Sequence, residues 1–366
     1  MFQYKKMRNS SIILIFIALL LSCGKSGKEE VRSPEQFHTD VLLKTTPVKQ
    51  QGNNNLCWIY AMLATIETEH IMAGDSLELS VDYLARMYLK EQAMQRYGFV
   101  GQEKISMRGM IPMTLRLLNR NGAMPHNSYR SPEKTDYHII LRKLQRMADQ
   151  HRIQRRGLVS LSKEADLLLD DEIAPLPLWV FMLGCQYTPL EFAHSVVGKN
   201  EYVMLTSFTH HPFGQPIALE VPDNHYQDEF LNVPIDSLTR YVIRALRTGH
   251  PVCWEGDISE PLFLASEGTA RMADESRQVT QADRQKAFDL YETTDDHCME
   301  IIGLAHDHQG MRYFICKNSW GAYNPYGGLM LLSVNYFRAK TICVALSAEA
   351  LPEMPQIVPQ QKDSFE

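Results

Sequence analysis

Several familiar signals are missing from this sequence. Its seven cysteines include no CxxC pair, and no internal repeat or low-complexity segment is present. The formal net charge is −6, and the chain has no stripe of basic residues of the kind that binds nucleic-acid phosphates. Both features argue against a nucleic-acid partner. The first apolar run, residues 12–21, has ten residues and is too short to cross a bilayer as a helix.

What is present is the composition of an ordinary globular protein. Apolar residues make up 45% of the 366 positions and charged residues 22%, which allows one large domain or two smaller ones and is enough for an enzyme. The largest run of positive charge, residues 142–156, has its arginines at helical spacings. It is therefore predicted to be a solvated helix face.

The N-terminus has the pattern of an export signal. A basic start precedes the short apolar run, which ends at the sequence LLSC, and this order is typical of a secretory signal peptide. The LLSC sequence also resembles a bacterial lipoprotein box, in which Cys23 becomes the lipidated first residue of the mature protein. We therefore predict a lipoprotein signal peptide over residues 1–22, a polar tether over 23–40, and a membrane anchor through lipid on Cys23. The location would be the bacterial cell envelope, periplasmic or surface-exposed; the alternative is a plain secretory signal with an incidental cysteine.

An odd number of cysteines remains once two are set aside. With Cys23 as the anchor and Cys57 as a candidate thiolate, five are left: Cys185, Cys253, Cys298, Cys316 and Cys343. An odd number without CxxC spacing argues against a disulfide framework, and a chain of this size does not need one. We expect mostly buried, reduced thiols.

The first third of the chain is predicted to be helical. From Cys57 the run CWIYAMLATIETEH places apolar residues at three- and four-residue steps, which predicts an amphipathic helix with the cysteine in its first turn. The preceding Asn53 to Asn55 suit a loop and can cap the helix start. Further helices are predicted at LSVDYLARMYLKEQAMQRY and at MIPMTLRLLNRNG, the latter closed by Gly122.

The last third changes to short β-rich runs separated by turn residues. HPVCWEGDI, HCMEIIGLAHD, MRYFICKNSW and GLMLLSV alternate with turns such as DHQG and NPYGG, which predicts an antiparallel sheet. Between the two parts, residues 157–249 mix helix and strand signals. The predicted fold class is therefore α+β.

Three residues form a candidate nucleophilic site. A helix dipole favours the thiolate of a cysteine in the first turn, so Cys57 is a candidate nucleophile. His297 opens one predicted strand and Asn318 ends the next, so adjacent antiparallel strands can bring them together. The amide oxygen can then accept the imidazole N–H and fix the ring's tautomer. The three residues would form a Cys-His-Asn triad.

The other histidines give no predicted metal site. His210 and His211 lie in a Pro/Gly loop, and His306 and His308 lie in a predicted hairpin turn. No carboxylate or cysteine partner is recognised at ligand spacing, so neither a metal nor another cofactor is predicted.

These motifs resemble those of the papain-like cysteine peptidases. QGNNNLCW is similar to the family's active-site motif, with Gln51 six residues before Cys57, and KNSWG, residues 317–321, matches its asparagine block. The resemblance implies a two-lobed papain-like fold, with the nucleophile on a helical lobe. His297 and Asn318 would lie on an antiparallel sheet lobe.

The resemblance also implies a role for each residue. Cys57 would attack the scissile carbonyl, His297 would shuttle the proton and Asn318 would orient His297. Gln51 would donate to the oxyanion together with the cysteine backbone N–H, and Trp320 would shield the His-Asn bond from water.

Within that family the chain is most similar to the bleomycin hydrolase or aminopeptidase C branch. Papain-type enzymes place the histidine about 130–150 residues after the cysteine, whereas 240 residues separate the two here. We expect a peptidase domain over residues 41–350 with an insertion around 157–249, followed by a C-terminal tail over 351–366. In that branch the tail lies in the active site and dictates exopeptidase action.

The chain departs from the family pattern at several positions. Asn55 and Leu56 replace the usual residues before the nucleophile, and Cys298 stands where a small residue such as Ala is usual. The glycine pair that binds the substrate backbone corresponds to Arg108 and Gly109, of which only the second glycine is kept. Arg108 is expected either to narrow the cleft or to meet an acidic group of the substrate.

The resemblance implies a thiol peptidase that acts on a peptide or protein substrate, as an aminopeptidase or an endopeptidase. Two alternatives use the same groups differently. One is an amidase or acyltransferase for a non-protein amide, and the other is a catalytically dead envelope lipoprotein that binds peptides. The presence of all four catalytic groups argues against the second.

Overall fold

The elements of the chain change from helical to mainly β along its length. The computed structural model describes residues 37–98, 104–133, 135–182 and 184–351. In chain order their elements are β1 (Phe37–Leu42), α1 (Cys57–Ala73), α2 (Val81–Gly98), α3 (Ile111–Asn121), a 3-10 turn (His126–Ser128), α4 (Tyr137–Ile153), α5 (Leu158–Glu172), β2 (Val180–Met182), β3 (Cys185–Tyr187), α6 (Pro189–Val196), β4 (Tyr202–Thr206), β5 (Pro216–Ala218), β6 (Glu229–Asn232), α7 (Ile235–Arg247), β7 (Val252–Gly256), β8 (Phe263–Leu264), β9 (Thr269–Ala270), α8 (Gln281–Asp289), β10 (His297–Asp307), β11 (Arg312–Lys317), β12 (Leu329–Ser333), α9 (Val334–Lys340), β13 (Thr341–Ser347) and a 3-10 turn (Ala348–Ala350).

One large sheet holds most of the strands. Its order is β5-β6-β4-β13-β7-β10-β11-β12-β9-β8, and β1 pairs with the C-terminal half of β10. The pairs β4–β6 and β9–β12 are parallel, and the other pairs in this sheet are antiparallel. The predicted strands of the last third are confirmed, and so is the α+β class.

Alternation along the central strands gives the sheet two different faces. On β7, Cys253 faces the core shared with the helices while Trp254 faces the second core, and Cys298 and Met299 on β10 divide in the same way. The second core is covered by α7 and α9. The sheet therefore separates two apolar cores. The six cysteines in the described part of the chain are free thiols, and all except Cys185 are buried, as expected.

Helix α1 is buried far more completely than an amphipathic helix would be. Eleven of the residues from Cys57 to Thr68 are buried, and Tyr60 is the exception. The helix packs between β10 on one side and α2 and α3 on the other, so apolar residues are needed nearly all round. The expected helix is confirmed, but its amphipathic character is wrong.

Helix α3 ends where the sequence predicts. Gly122 follows its last residue with φ of +89°, a conformation that glycine adopts without strain. A Cβ at this position would lie 2.3 Å from the carbonyl carbon of Pro189. The chain therefore needs glycine here both for the turn and for the close approach of α6.

One predicted boundary changes and others lie outside the described residues. Residues 37–40, assigned to the tether, belong to β1, because their backbone pairs with β10 although their side chains are largely exposed. The segment 157–249, predicted as an insertion, contributes β4 to the large sheet, where this strand pairs with β13. The predicted signal peptide, Cys23 and nearly all of the predicted tail lie outside the described residues. Within the described ranges, no helix combines the length and apolar character needed to cross a membrane.

Candidate active site

The predicted nucleophile is the first residue of α1. Leu56 carries the first helical carbonyl, which accepts the N–H groups of Ile59 (2.9 Å) and Tyr60 (3.1 Å). No side chain caps this helix. Instead Asn54 Oδ1 accepts the N–H of Leu56 at 3.1 Å, which closes the loop just before the helix. Cys57 is thus held at the positive end of a helix that is buried along most of its length.

His297 and Asn318 are brought together by the β10–β11 hairpin. Glu300 on β10 is paired with Lys317 on β11 in the antiparallel register. His297, the first residue of β10, therefore lies near Asn318, which directly follows β11. His297 Nε2 lies 2.9 Å from Asn318 Oδ1. Because the same oxygen also accepts the Ser319 N–H at 2.7 Å, it is the carbonyl atom of the amide, and Nε2 carries the proton. The other ring nitrogen, Nδ1, remains for proton exchange.

Trp320 covers this pair. Its ring lies 4.5 Å from the imidazole of His297, measured between centroids, at an angle of 31°. His297 and Asn318 are only 3% and 5% exposed. The indole therefore packs against the imidazole of a buried hydrogen-bonded pair, and its role as a shield from water stays a prediction.

The electrostatics around Cys57 favour a thiolate. The pKa of Cys57 lies well below its ordinary value because the Cys298 thiol donates to its sulfur, and then because His297 adds a hydrogen bond and positive charge. Burial acts in the opposite direction. Cys298 itself keeps its proton, since burial raises its pKa well above the usual range. The cysteine that departs from the family pattern thus stabilises the nucleophile as a donor.

Gln51 is tied to the segment that follows Asn318. Its backbone N–H donates to Ser319 O at 2.7 Å, and its side-chain Oε1 accepts the Ser319 hydroxyl at 2.5 Å. Its Nε2 donates one proton to Asn54 O at 2.7 Å. The second Nε2 proton has no acceptor among the described residues. Gln51 lines the same cavity as Cys57 and has a donor available there.

A cavity of about 170 Å³ opens beside the cysteine. Gly109 forms part of the cavity wall. Trp58 packs directly against Gly109, so a Cβ at this position would lie 2.8 Å from Trp58 Cε2. Trp58 cannot easily yield, since it is fully buried and its Nε1 donates to Met107 O at 2.9 Å. The cavity is lined by Gln51, Asn55, Cys57, Trp58, Arg108, Gly109, Asp223, Glu255, Ile258, Asp295, Asp296, His297, Cys298 and Trp320.

Arg108 bridges the cavity rather than pointing freely into it. Its Nε donates to the Asp223 carboxylate at 2.8 Å, and its Nη2 donates to the backbone oxygen of Asp295 at 2.8 Å. The guanidinium is therefore already paired with an acidic side chain. This geometry supports the expectation that Arg108 narrows the cleft, and it argues against a meeting with an acidic substrate group.

Five cavity residues were not identified from the sequence: Asp223, Glu255, Ile258, Asp295 and Asp296. Asp295 stands two residues before His297, and the acidic pair in DDHC was a signal that could have been used. Glu255 interrupts an otherwise apolar buried strand, which is a second usable signal. Asp223 lies in the segment 157–249, 115 residues from its partner Arg108, and nothing local marks it.

A histidine cluster away from this cavity corrects one expectation. Glu220 folds against His210 and His211, with Nε2–oxygen distances of 3.0 Å and 2.6 Å, so a carboxylate partner does exist. Its chemistry is arranged for hydrogen bonding, however. Gln285 accepts the Thr209 N–H with its oxygen and therefore presents its NH₂ group to His210 Nδ1 at 3.0 Å. The proton of His210 is then on Nε2, the atom that a metal would need, and binding would require Gln285 to turn over.

Comparison with known sequences identifies relatives that share part of the chain. It is 25% identical over 171 residues to aminopeptidase G of Lactobacillus delbrueckii subsp. lactis, covering 41% of this chain and 37% of that protein. It is 26% identical over 163 residues to aminopeptidase E of Lactobacillus helveticus, covering 41% of this chain and 36% of that protein. The chain thus spans less than two fifths of the length of these curated relatives.

The fold is shared with a solved structure. PepW from Lactobacillus rhamnosis superposes with a TM-score of 0.66 at 18% identity, covering 87% of this chain and 84% of that one. This likeness confirms the α+β papain-like fold. The sequence model of the Peptidase C1-like family matches residues 181–363, half of the chain, a segment that contains His297 and Asn318. The chain therefore belongs to the Peptidase C1-like family.

Proposed function

We propose that this protein is a cysteine peptidase that uses a Cys-His-Asn triad. The observation that carries the proposal is the meeting of His297, hydrogen-bonded to Asn318, with a helix-terminal Cys57 whose pKa is lowered. Each group has the state that nucleophilic catalysis requires. The thiolate is favoured, and the imidazole is fixed with Nδ1 available.

The mechanism follows from these states. Cys57 Sγ attacks the carbonyl carbon of the scissile peptide bond, and the second Nε2 proton of Gln51 stabilises the oxyanion together with the Cys57 backbone N–H. His297, which has taken the Cys57 thiol proton on Nδ1, delivers that proton to the leaving amine as the C–N bond breaks, and a thioester remains on Cys57. Water, deprotonated by His297, then attacks the thioester and releases the acid. Asn318 keeps the imidazole in place throughout.

We further propose that the enzyme is an aminopeptidase. The support is that several partial relatives are named aminopeptidases. The narrow cavity, bridged by Arg108, also suits a short substrate segment better than an extended chain. This specificity needs its own test.

Hydrolysis of matched amides separates these options. The chain without its first 23 residues is assayed with a peptide library and with fluorogenic amides that differ only in a free or an acetylated N-terminus. We expect cleavage of the free form, little of the blocked form, and none by Cys57→Ala. Equal cleavage of both forms would indicate an endopeptidase. No peptide hydrolysis, with retained cleavage or transfer of non-protein amides, would favour the amidase or acyltransferase. Inactivity on every substrate would favour a peptide-binding protein.

The location is a separate proposal that rests on the N-terminal sequence. We propose that lipid on Cys23 holds the protein at the bacterial membrane, because the apolar run before it is too short to span. Cys23→Ser should abolish membrane attachment while soluble activity is kept. If the variant still sediments with membranes after a high-salt wash and needs detergent for release, an uncleaved N-terminal segment is the better explanation.

A further inference from the structure

The cavity beside Cys57 is lined by more acidic than basic side chains. Its lining includes four carboxylates, from Asp223, Glu255, Asp295 and Asp296, and a single arginine, Arg108. These acids come from three different parts of the chain: the segment before β6, strand β7, and the residues just before β10. Asp223, Glu255 and Asp295 are buried, and ionising several neighbouring buried acids is costly unless a cation shares the space.

Arg108 neutralises only part of this charge. Its side chain is 42% exposed, so it lies at the mouth, where it pairs with Asp223. The Asp295 carboxylate is 3.8 Å from Arg108 Nη2, too long for a hydrogen bond. Its other oxygen accepts the Asp223 N–H at 2.9 Å. Asp295 therefore keeps one oxygen with only a distant positive charge.

Glu255 is the deeper and less compensated acid. The residue is 2% exposed. Its Oε2 accepts the Ile111 N–H at 3.2 Å and the Cys343 thiol at 3.5 Å. Its Oε1 accepts no hydrogen bond from any described residue, although the side chain lines the cavity. Burial, and then the neighbouring Asp295, raise the pKa of Glu255 well above its ordinary value. A cation beside Glu255 would make its ionised form less costly and would supply a donor to the unused oxygen.

Glu255 is also close to the reacting sulfur. It pairs directly with Cys298 across β7 and β10, and Glu255, Cys298 and Cys57 all line the same cavity. One substrate molecule can therefore place a group against Glu255 while its scissile carbonyl carbon reaches Cys57. The cavity has room for a short aliphatic stem with a small polar head.

We propose that this cavity binds an ammonium group of the substrate, with Glu255 at its closed end and Asp295 on its wall. An ammonium has three donors and a compact charge, which suit two carboxylates that approach from different directions. The inference rests on the proposed peptidase function for the nature of the substrate, but not for the charge that the cavity selects. The ammonium can come from a lysine side chain or from the free N-terminus of a peptide.

A set of four small amides distinguishes these sources without turnover. Binding to the Cys57→Ala protein is measured by calorimetry with lysine amide, norleucine amide and the Nα-acetyl form of each. These ligands carry both ammonium groups, the α-ammonium only, the ε-ammonium only, and none. We expect the uncharged ligand to bind at least about tenfold more weakly than the best one, a difference of about 1.4 kcal/mol. Preference between the two singly charged ligands then identifies the source.

Conservative variants test the assigned acids in the same assay. Glu255→Gln keeps an oxygen for the Ile111 N–H and removes the charge, so the ammonium preference should fall about tenfold or more. Asp295→Asn should lower it less, and it also serves if Glu255→Gln fails to fold by circular dichroism. Asp236→Asn, an exposed aspartate paired with Arg338 outside the cavity, should leave the preference unchanged.

The outcomes separate this inference from the proposed function. Equal affinity for all four amides, no measurable binding, or a full ammonium preference in both Glu255→Gln and Asp295→Asn would overturn the inference. A preference that persists while the wild-type protein hydrolyses no peptide would sustain the cation site and refute the peptidase. Peptide hydrolysis without any ammonium preference would do the reverse.

Discussion

The two walls of the active-site cavity are built in opposite ways. The wall with His297 and Asn318 comes from one hairpin, whose two key residues are 21 positions apart. The acidic wall joins Arg108 to Asp223 and Asp295 across 115 and 187 positions. In the first wall the imidazole and amide are hydrogen-bonded to each other and covered by Trp320. In the second, one carboxylate oxygen of Glu255 and one of Asp295 accept no hydrogen bond from any described residue.

This difference separates chemistry from selection. A catalytic base works only if its tautomer and direction are fixed in advance. One ring nitrogen must therefore be held by a hydrogen bond to a neighbour. A binding wall needs the opposite, because a group already satisfied by the protein has little to offer a ligand. We infer that the hairpin wall sets the reaction and that the acidic wall sets which substrate is accepted.

Removing the base should have the largest effect on the hairpin wall. His297→Ala should lower kcat by about 10⁴-fold, near the upper range for loss of a general acid–base group, because no other imidazole of the described residues lines the cavity. Asn318→Ala should lower it less, since the amide only orients the ring. Steady-state kinetics on one peptide amide, with folding checked by circular dichroism, measure both. If Asn318→Ala were the more damaging change, its role would extend beyond orientation.

Gln51 joins the nucleophile loop to the hairpin wall, and its loss should come next. Gln51→Ala removes one oxyanion donor and should lower kcat by about 10²–10³-fold with a smaller change in KM. Gln51→Glu is the matched control, because it keeps the Ser319 hydroxyl bond but supplies no N–H. It should be as inactive as the alanine variant. Unchanged hydrolysis in both variants would place the oxyanion hole elsewhere.

The contrast between the walls also explains what the sequence could predict. Cys57, His297 and Asn318 stand in short motifs at the ends of periodic segments, so their meeting follows from local structure. The acidic wall depends on how distant segments pack, and no periodicity encodes the ion pair between Arg108 and Asp223. The meeting of Glu220 with His210 and His211 was missed for a related reason, since loop geometry brings them together.

The fold divides along the same line. The helices and strands beside the motifs were predictable because their apolar residues recur at periods near 3.6 or 2. Strand β1 was not, because Phe37–Leu42 is largely exposed and is held by backbone pairing with β10. The burial of α1 on most faces also depends on what covers it, which a single segment does not reveal.

The acidic wall should make stability depend on pH. The folded-state pKa of Glu255 is raised, so the folded protein holds this proton more tightly than the unfolded chain. The associated stability is fully present below the ordinary glutamate pKa and is lost as pH rises toward the folded value. The glutamine in Glu255→Gln does not titrate, so the variant does not lose this stability as pH rises. Between pH 5 and 8, its free energy of unfolding should therefore increase relative to wild type, by at most about 1.4 kcal/mol per pH unit.

Urea unfolding at several pH values measures this difference. Asp236→Asn serves as the control, because its carboxylate is 72% exposed and its curve should run parallel to the wild type. Parallel curves for wild type and Glu255→Gln as well would mean that Glu255 titrates normally. The acidic wall would then be as well satisfied as the hairpin wall, and the comparison between them would fail.

The smallest expected effect comes from Gly109, where the cavity meets the helical core. Gly109→Ala would place a Cβ 2.8 Å from Trp58 Cε2 and 3.1 Å from Met113 Cε. The methionine end can move, but the buried indole is held by its hydrogen bond to Met107. We expect a loss of about 1–3 kcal/mol in the free energy of unfolding, typical of overpacking.

Gly98→Ala is the matched control for Gly109→Ala. No atom of the described residues lies within 4 Å of the Cβ added at this helix-terminal glycine, so its change in stability should be small. Because Trp58 follows Cys57, the rate of thiol alkylation should also change in Gly109→Ala and not in Gly98→Ala. Wild-type stability and alkylation in both variants would mean that Trp58 yields easily and that glycine at 109 is not needed for packing.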